Sequence, residues 1–184
     1  MFGCSDSPKT KSSNSIDLEN TEVLDKIIEG AIYDHKLQKR GDEGEELVYL
    51  TNKQTPYTGW VKEMWGNGQV KELGHFKNGE LDGLKNTWYE NGQKATTSNW
   101  LRGEANGLYK RWSESGNKLE ITSYKAGVLD GLKKTWYENG PKFKEEKYLD
   151  GELGGITKSW YENGQLKSEL SYQLDKLWGL STKW

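Results

Sequence analysis

Glycine returns with a constant 24-residue period through the last two thirds of this chain, and no other feature restricts its fold so strongly. With the first column set on Gly59, the same column holds Gly83, Gly107, Gly131, Gly155 and Gly179. The sixth column reads Met64, Trp88, Trp112, Trp136, Trp160 and Trp184, and the tenth reads Gly68, Gly92, Gly116, Gly140 and Gly164. The eighteenth is always aromatic: Phe76, Trp100, Tyr124, Tyr148 and Tyr172. A twenty-first column of Gly79, Gly103, Gly127 and Gly151 breaks at Asp175. Five units fill residues 59–178, and a sixth stops at Trp184. Self-similarity at such a period marks copies of one supersecondary unit, each stacked on its neighbours.

Each unit encodes a β-hairpin. Asn67-Gly68, Asn91-Gly92, Asn139-Gly140 and Asn163-Gly164 are Asn-Gly pairs, and Ser115-Gly116 is a weaker version. These pairs predict two-residue type I′ turns, whose central residues both need φ > 0. A second turn follows at Asn78-Gly79, Arg102-Gly103, Ala126-Gly127 and Asp150-Gly151. The segments between are rich in Trp, Tyr, Thr and Leu, a strand composition. Glycine recurs too often for helices. Two-residue turns would pair the sixth column with the thirteenth and the first with the eighteenth. They would also pair the eighteenth with Leu81, Leu129, Leu153 and Leu177. Trp88, Leu84 and their equivalents would then share one face. Tyr89, Tyr137, Tyr161, the eighteenth-column aromatics and the leucines would share the other. A single bulge would flip these faces. The expected fold is all-β: one elongated antiparallel sheet of consecutive hairpins, curved into a trough, with a short N-terminal helix. Ten to twelve strands at about 4.8 Å each give a length of roughly 50 Å.

Composition agrees with a thin body. The chain holds 9 Trp, 10 Tyr and 22 Gly, but hydrophobic residues make up only 33%. That is too little aliphatic volume for an ordinary core, so aromatic stacking must hold the units together. Residues 1–58 carry 7 Lys/Arg against 11 Asp/Glu, and residues 59–184 carry 19 against 17. Neither balance makes the field that nucleic acid requires. Cys4 is the sole cysteine, which excludes an intramolecular disulfide, and with His35 and His75 alone a metal or histidine-based site lacks ligands. His75 occupies a variable column with Asn99, Ser123, Lys147 and Ser171. The eighth-column acids Glu90, Glu114, Glu138 and Glu162 read better as turn-flanking partners of lysines such as Lys94 and Lys142 than as a calcium ladder. No nucleophile is paired with a base. The expectation is a chain with no catalytic residue, no cofactor and no metal.

The units resemble MORN repeats, in particular the bacterial variant with the core Gly-Leu-x-x-x-Trp-Tyr-Glu-Asn-Gly-Gln. That core runs here from Gly83 to Gln93, Gly131 to Pro141 and Gly155 to Gln165. The resemblance covers about two thirds of the chain and implies an elongated sheet of hairpins used for protein–protein contact, self-association or lipid binding. Proteins of this kind are often labelled antitoxins of toxin–antitoxin systems. Departures from the pattern are Met64, Ser113, Ser115, Pro141 and Asp175, which point to a worn third unit and a frayed last turn.

Residues 1–58 differ in character. Residues 1–16 read as a disordered tether. Residues 17–58 read as a helix and a capping strand. Asn20 caps a helix through about Glu29, with Val23, Leu24, Ile27 and Ile28 as its apolar stripe and Gly30 as its stop. Leu47 to Leu50 reads as a strand leading into Gly59. Phe-Gly-Cys4-Ser resembles the end of a bacterial lipoprotein signal, followed as expected by a polar tether. Three residues before Cys4 are too few for a signal peptide. Either the true start lies upstream and Cys4 is lipidated, placing the chain on the cell envelope, or Cys4 is incidental and the chain is cytoplasmic.

The functional expectation is a binding module. Trp88, Trp112, Trp136, Trp160, Tyr89, Tyr137 and Tyr161 are the candidate contact residues, because aromatics dominate interfaces. Stacking within the sheet is their structural alternative. The partner expected is a protein, including a toxin or a second copy of the chain. Direct lipid or glycan binding is the alternative, and nucleic acid is not expected.

Overall fold

In the computed structural model the described residues are Leu18, residues 20–178 and the backbone of residues 182–183. Helix α1 (Thr21–Gly30) is followed by the strands β1 (Ile32–Tyr33), β2 (Leu37–Arg40), β3 (Leu47–Leu50), β4 (Gly59–Met64), β5 (Val70–Lys77), β6 (Glu80–Trp88) and β7 (Lys94–Leu101). Then come β8 (Glu104–Ala105), β9 (Gly107–Trp112), β10 (Lys118–Lys125), β11 (Val128–Trp136) and β12 (Lys142–Leu149). The last are β13 (Glu152–Leu153), β14 (Gly155–Trp160), β15 (Leu166–Gln173), β16 (Lys176–Leu177) and β17 (Thr182–Lys183). Fifteen strands form one long sheet, antiparallel except for the β1–β4 pair, and β2–β3 form a separate hairpin. The all-β expectation holds, as does the chain of consecutive hairpins.

The Asn-Gly turns are not type I′. Gly68 N–H donates to the Trp65 carbonyl at 3.0 Å, and Trp65 N–H donates to Gln69 O at 2.8 Å. Gly68 has φ 84°, while Asn67 is not among the residues with positive φ. The loop is therefore three residues long, a type I turn closed by a left-handed glycine, which comes with a one-residue bulge. The ladder steps from Glu63↔Glu72 to Met64↔Val70 and leaves Lys71 unpaired. Ala95, Leu119, Phe143 and Lys167 are left out in the same way. The sixth column thus pairs with the twelfth, not the thirteenth as expected. Nearer the strand centres the expected register holds: Gly59↔Phe76, Gly83↔Trp100, Gly107↔Tyr124, Gly131↔Tyr148 and Gly155↔Tyr172.

True type I′ turns occupy the second position, where Asn78 and Gly79 have φ 51° and 85°. Arg102, Ala126, Asp150 and Leu174 take the same left-handed conformation despite their side chains. Contact with the neighbouring unit compensates. The next residue donates its N–H backwards along the sheet, from Gly103 to Leu81, Gly127 to Ala105, Gly151 to Leu129 and Asp175 to Leu153. After the turns at Asn78, Arg102, Ala126 and Asp150 the register carries a second irregularity. In the first unit His75 faces Asp82, Gly83 and Leu84 together. Gly131, at the equivalent bulge, has φ 111°, and a Cβ there would lie 3.0 Å from that of Ser123. The positive φ favours glycine from Gly59 to Gly155 in this column, and at Gly131 the lack of space adds to it.

A single-layer sheet buries little. The buried apolar residues are Leu18, Ala31, Val48, Val61, Leu73 and Leu119, and the buried polar ones include Asn86, Thr122, Glu146 and Thr157. The strongest contacts run between strands that are neighbours in the sheet, as a quasi-one-dimensional array requires. The N-terminal segment closes one end. Asn20 Oδ1 accepts from Val23 N–H, as expected of a cap. Gly30 does not adopt the left-handed stop expected of it; the chain turns extended at Ala31. β1 then pairs with the otherwise open edge of β4, and Lys62 Nζ donates to the Ile28 carbonyl at 2.6 Å. The partner of β3 was not foreseen, because Leu37-Gln-Lys-Arg40 offers a single apolar residue. The β2–β3 hairpin docks where Val48 N–H meets Gly79 O at 2.9 Å.

Candidate interaction faces

Cross-strand partners lie on the same side of a sheet, so the register sorts every column. The first face carries Phe76, Trp100, Tyr124, Tyr148 and Tyr172 with Leu81, Leu129, Leu153 and Leu177. Its middle is polar and internally paired. Lys85 meets Glu72 at 2.8 Å, Lys144 meets Glu146 at 2.7 Å, and Glu120 sits between Arg111 and Lys133. Tyr148 donates to Glu146, and burial, reinforced by that carboxylate, pushes its phenol up to about 12. Burial also raises Tyr109 and Tyr124.

The second face carries Trp88, Trp112, Trp136 and Trp160, paired with Lys94, Lys118, Lys142 and Leu166. Leu84 shares it, as expected. The indoles are half-buried. Lys118 Nζ lies 5.2 Å from the Trp136 ring and Lys142 Nζ 4.7 Å from Trp160, so ammonium groups cover them. Lys110, Lys134 and Lys158 line the same side, answered in part by Glu145 and Glu169. What stands out from this face is the second column, which the sequence reading placed here without naming it a contact, together with Leu101, Val128 and Leu149 at the second turns. Leu108, Leu132 and Ile156 are 44%, 43% and 51% exposed. The signal was available: Trp60, Leu84, Leu108, Leu132, Ile156 and Leu180 make the column apolar throughout.

The seventh-column tyrosines sit at the hairpin tips and serve the ladder. Tyr89 Oη donates to Trp112 O at 2.8 Å, and Tyr137 Oη to Trp160 O at 2.9 Å. Trp65 Nε1 does the same to Trp88 O. Tyr161 is 40% exposed, with Lys167 Nζ 5.3 Å from its ring. Beside them runs an asparagine ladder. Asn67 and Asn91 each accept from the N–H two residues on and donate to the Glu90 and Glu114 carbonyls of the next unit. Glu90, Glu114 and Glu138 of the eighth column contribute backbone oxygens, Glu162 accepts from Asn139 Nδ2 with its carboxylate, and all four are exposed.

The third unit is not worn, as its departures had implied. Ser113 Oγ accepts from Asn117 N–H, Ser113 and Ser115 bond each other, and Asn117 Nδ2 supplies the bond to Glu138 O. Asn117 thus does from the eleventh column what asparagine does elsewhere from the ninth. Asp175 keeps its backbone rung and adds a carboxylate that accepts from Leu153 N–H at 2.7 Å. His75 Nδ1 donates to Asp82 O across the second bulge, and Asn99 bonds Leu108 O similarly. Among the described residues no cluster of three His, Cys, Asp or Glu is placed to hold a metal, and no helix is long and apolar enough to cross a membrane. Cys4, the tether of residues 1–16 and Trp184 lie outside the described residues.

A hollow of about 440 Å³ opens on the first face between the second and third units, lined by residues that include Thr87, Ser98, Trp100, Ala105, Tyr109 and Tyr124. No curated protein matches the chain. The family model of the MORN repeat variant matches residues 105–126 and 153–174. The two matches lie two periods of the array apart, so MORN-type repeats stand in phase with the hairpins around them.

Proposed function

We propose that the chain is a non-enzymatic repeat scaffold that binds a protein partner through its second face. The exposed row of Leu108, Leu132 and Ile156 supports this reading. Three branched aliphatic side chains recur one unit apart on a sheet stitched along both margins, which makes a pre-organised surface with little ordering entropy to lose on binding. The lysines around them favour a partner whose apolar anchors are flanked by carboxylates, since charge complementarity steers encounter and fixes register. The tryptophans share that face but are half-buried, with lysine ammonium groups over Trp136 and Trp160. Lipidation of Cys4 would hold the scaffold at the cell envelope.

The test is affinity capture with cross-linking from source cells, comparing wild type with the triple variant Leu108→Ser, Leu132→Ser, Ile156→Ser. A specific protein retained by wild type and lost by the folded variant is the expected result. A protein captured equally by both would place the interface elsewhere, and capture of none would defeat the proposal.

A further inference from the structure

The leucine column of the first face is broken once. Leu81, Leu129, Leu153 and Leu177 each lie across from an eighteenth-column aromatic, but Trp100 faces Ala105. Trp100 is also the one indole in that column. The larger ring does not refill the space that leucine leaves, and the hollow of about 440 Å³ opens at this place. In a repeat array, a unit that departs from the shared pattern without repairing the packing is where a local demand overrides the fold.

The lining describes a ligand. On one side are the rings of Trp100, Tyr109 and Tyr124, the two tyrosines edge to face at 6.4 Å. On the other is a row of hydroxyls. Thr87 and Thr96 bond each other at 2.7 Å, and Ser98 accepts from Trp100 Nε1 at 2.8 Å. Glu72 and Lys85 close that row as a neutral pair. Among the described residues neither the Tyr109 nor the Tyr124 hydroxyl has a hydrogen-bond partner, and burial keeps both phenols protonated as donors. The volume falls within the range of small-molecule sites, which are mostly apolar with a few placed polar groups.

We infer that this hollow binds a neutral pyranose sugar. A pyranose has a C–H patch that packs on the electron-rich face of an aromatic ring and an equatorial fringe of hydroxyls. Three aromatic rings beside a row of hydroxyls and the internally neutralised Glu72–Lys85 pair supply partners for both sides of that ring. A charged ligand would compete with the Glu72–Lys85 pair, and a purely apolar one would leave the phenols unserved. The inference does not depend on protein binding at the second face, although Leu108 belongs to both linings.

The test is calorimetry together with an NMR titration of the Trp100 indole N–H, assigned with Trp100→Phe. The probes are glucose, N-acetylglucosamine, cellotriose, maltotriose and chitotriose. At least one should bind with millimolar or better affinity and shift that resonance. Ala105→Leu restores the residue used by the other units, so it should fold and weaken binding by about tenfold or more, the loss expected when a ring is sterically excluded. Tyr109→Phe and Tyr124→Phe keep the rings and should each weaken binding several-fold. Affinity that rises from mono- to trisaccharide identifies a glycan chain as the natural source, and equal affinity identifies a free sugar. No binding of any probe at about 20 mM, well above the millimolar range of weak specific contacts, overturns the inference. Binding unchanged in folded Ala105→Leu, or in both phenylalanine variants, overturns it equally.

Discussion

Tyr148 shows what one side chain owes to its surroundings. Its ring lies across from Gly131, and its hydroxyl donates to the buried Glu146 carboxylate. Burial opposes ionising that phenol, and the Glu146 carboxylate beside it adds to the opposition, so the folded state holds the proton up to a pH of about 12. The folded pKa lies above the unfolded value near 10. The contribution to stability is therefore complete below pH 10 and disappears as pH rises through 12. Denaturant midpoints measured from pH 8 to 12 should fall steeply above 10, and Tyr148→Phe should flatten part of that fall. An unchanged slope would mean that ionisation of Tyr148 is not linked to folding. Other single residues carry strain that local propensity would reject: Ala126 at φ 46° and Leu174 at φ 50° sit where glycine or asparagine is easy.

At the scale of the hairpin, the asparagine ladder decides how units join. Asn91 holds its own turn through Oδ1 and reaches Glu114 O through Nδ2, while Asn163 bonds only within its own turn among the described residues. Asn91→Ala should cost about 1–2 kcal/mol, because it leaves a donor and an acceptor unserved. Asn163→Ala should cost less than Asn91→Ala, and Asn117→Ala should resemble Asn91→Ala. Urea denaturation of the three variants checks the order. Equal losses would show that the inter-unit bond adds nothing. At Asn67 and Asn91 this ladder also accounts for the strongest hairpin signal having misled, while Asn163 takes the same turn with bonds inside it alone. Asn-Gly predicted a type I′ turn from backbone preference, yet the asparagine side chain is better employed bridging two units from a type I turn with a bulge. The sequence around one turn cannot reveal that bridge, because its acceptor belongs to the next unit along the chain.

For the whole molecule, neighbour-only contact means that length is adjustable. Deleting residues 131–154 removes one full period and joins Asp130 to Gly155 in phase. The shortened chain should remain folded, with strand circular dichroism intact and a smaller dependence of unfolding free energy on denaturant, since that slope scales with the surface exposed. Deleting residues 131–142 removes half a period, sets turns against strands and should unfold the array beyond the cut. A half-period deletion as well tolerated as the full one would refute the ladder as the source of order.

The periodic glycine and aromatic columns by themselves determined the all-β class, the chain of consecutive hairpins and the cross-strand partners near the strand centres, and Asn20 with its apolar stripe determined the helix. These follow from local chemistry: glycine where φ is positive, β-formers between turns, a period that repeats without insertion. Tertiary structure alone decided the turn types, the unpaired Lys71, Ala95, Leu119, Phe143 and Lys167, the β2–β3 hairpin on Gly79, and which side chains face outwards. It moved the candidate contact surface from the tryptophans to Leu108, Leu132 and Ile156, because the lysines that cover the indoles come from across the strands and from neighbouring units. It also turned Ala105 from a lapse in a column into a hollow. Both outcomes depend on partners separated along the chain, and only the folded sheet brings those partners together.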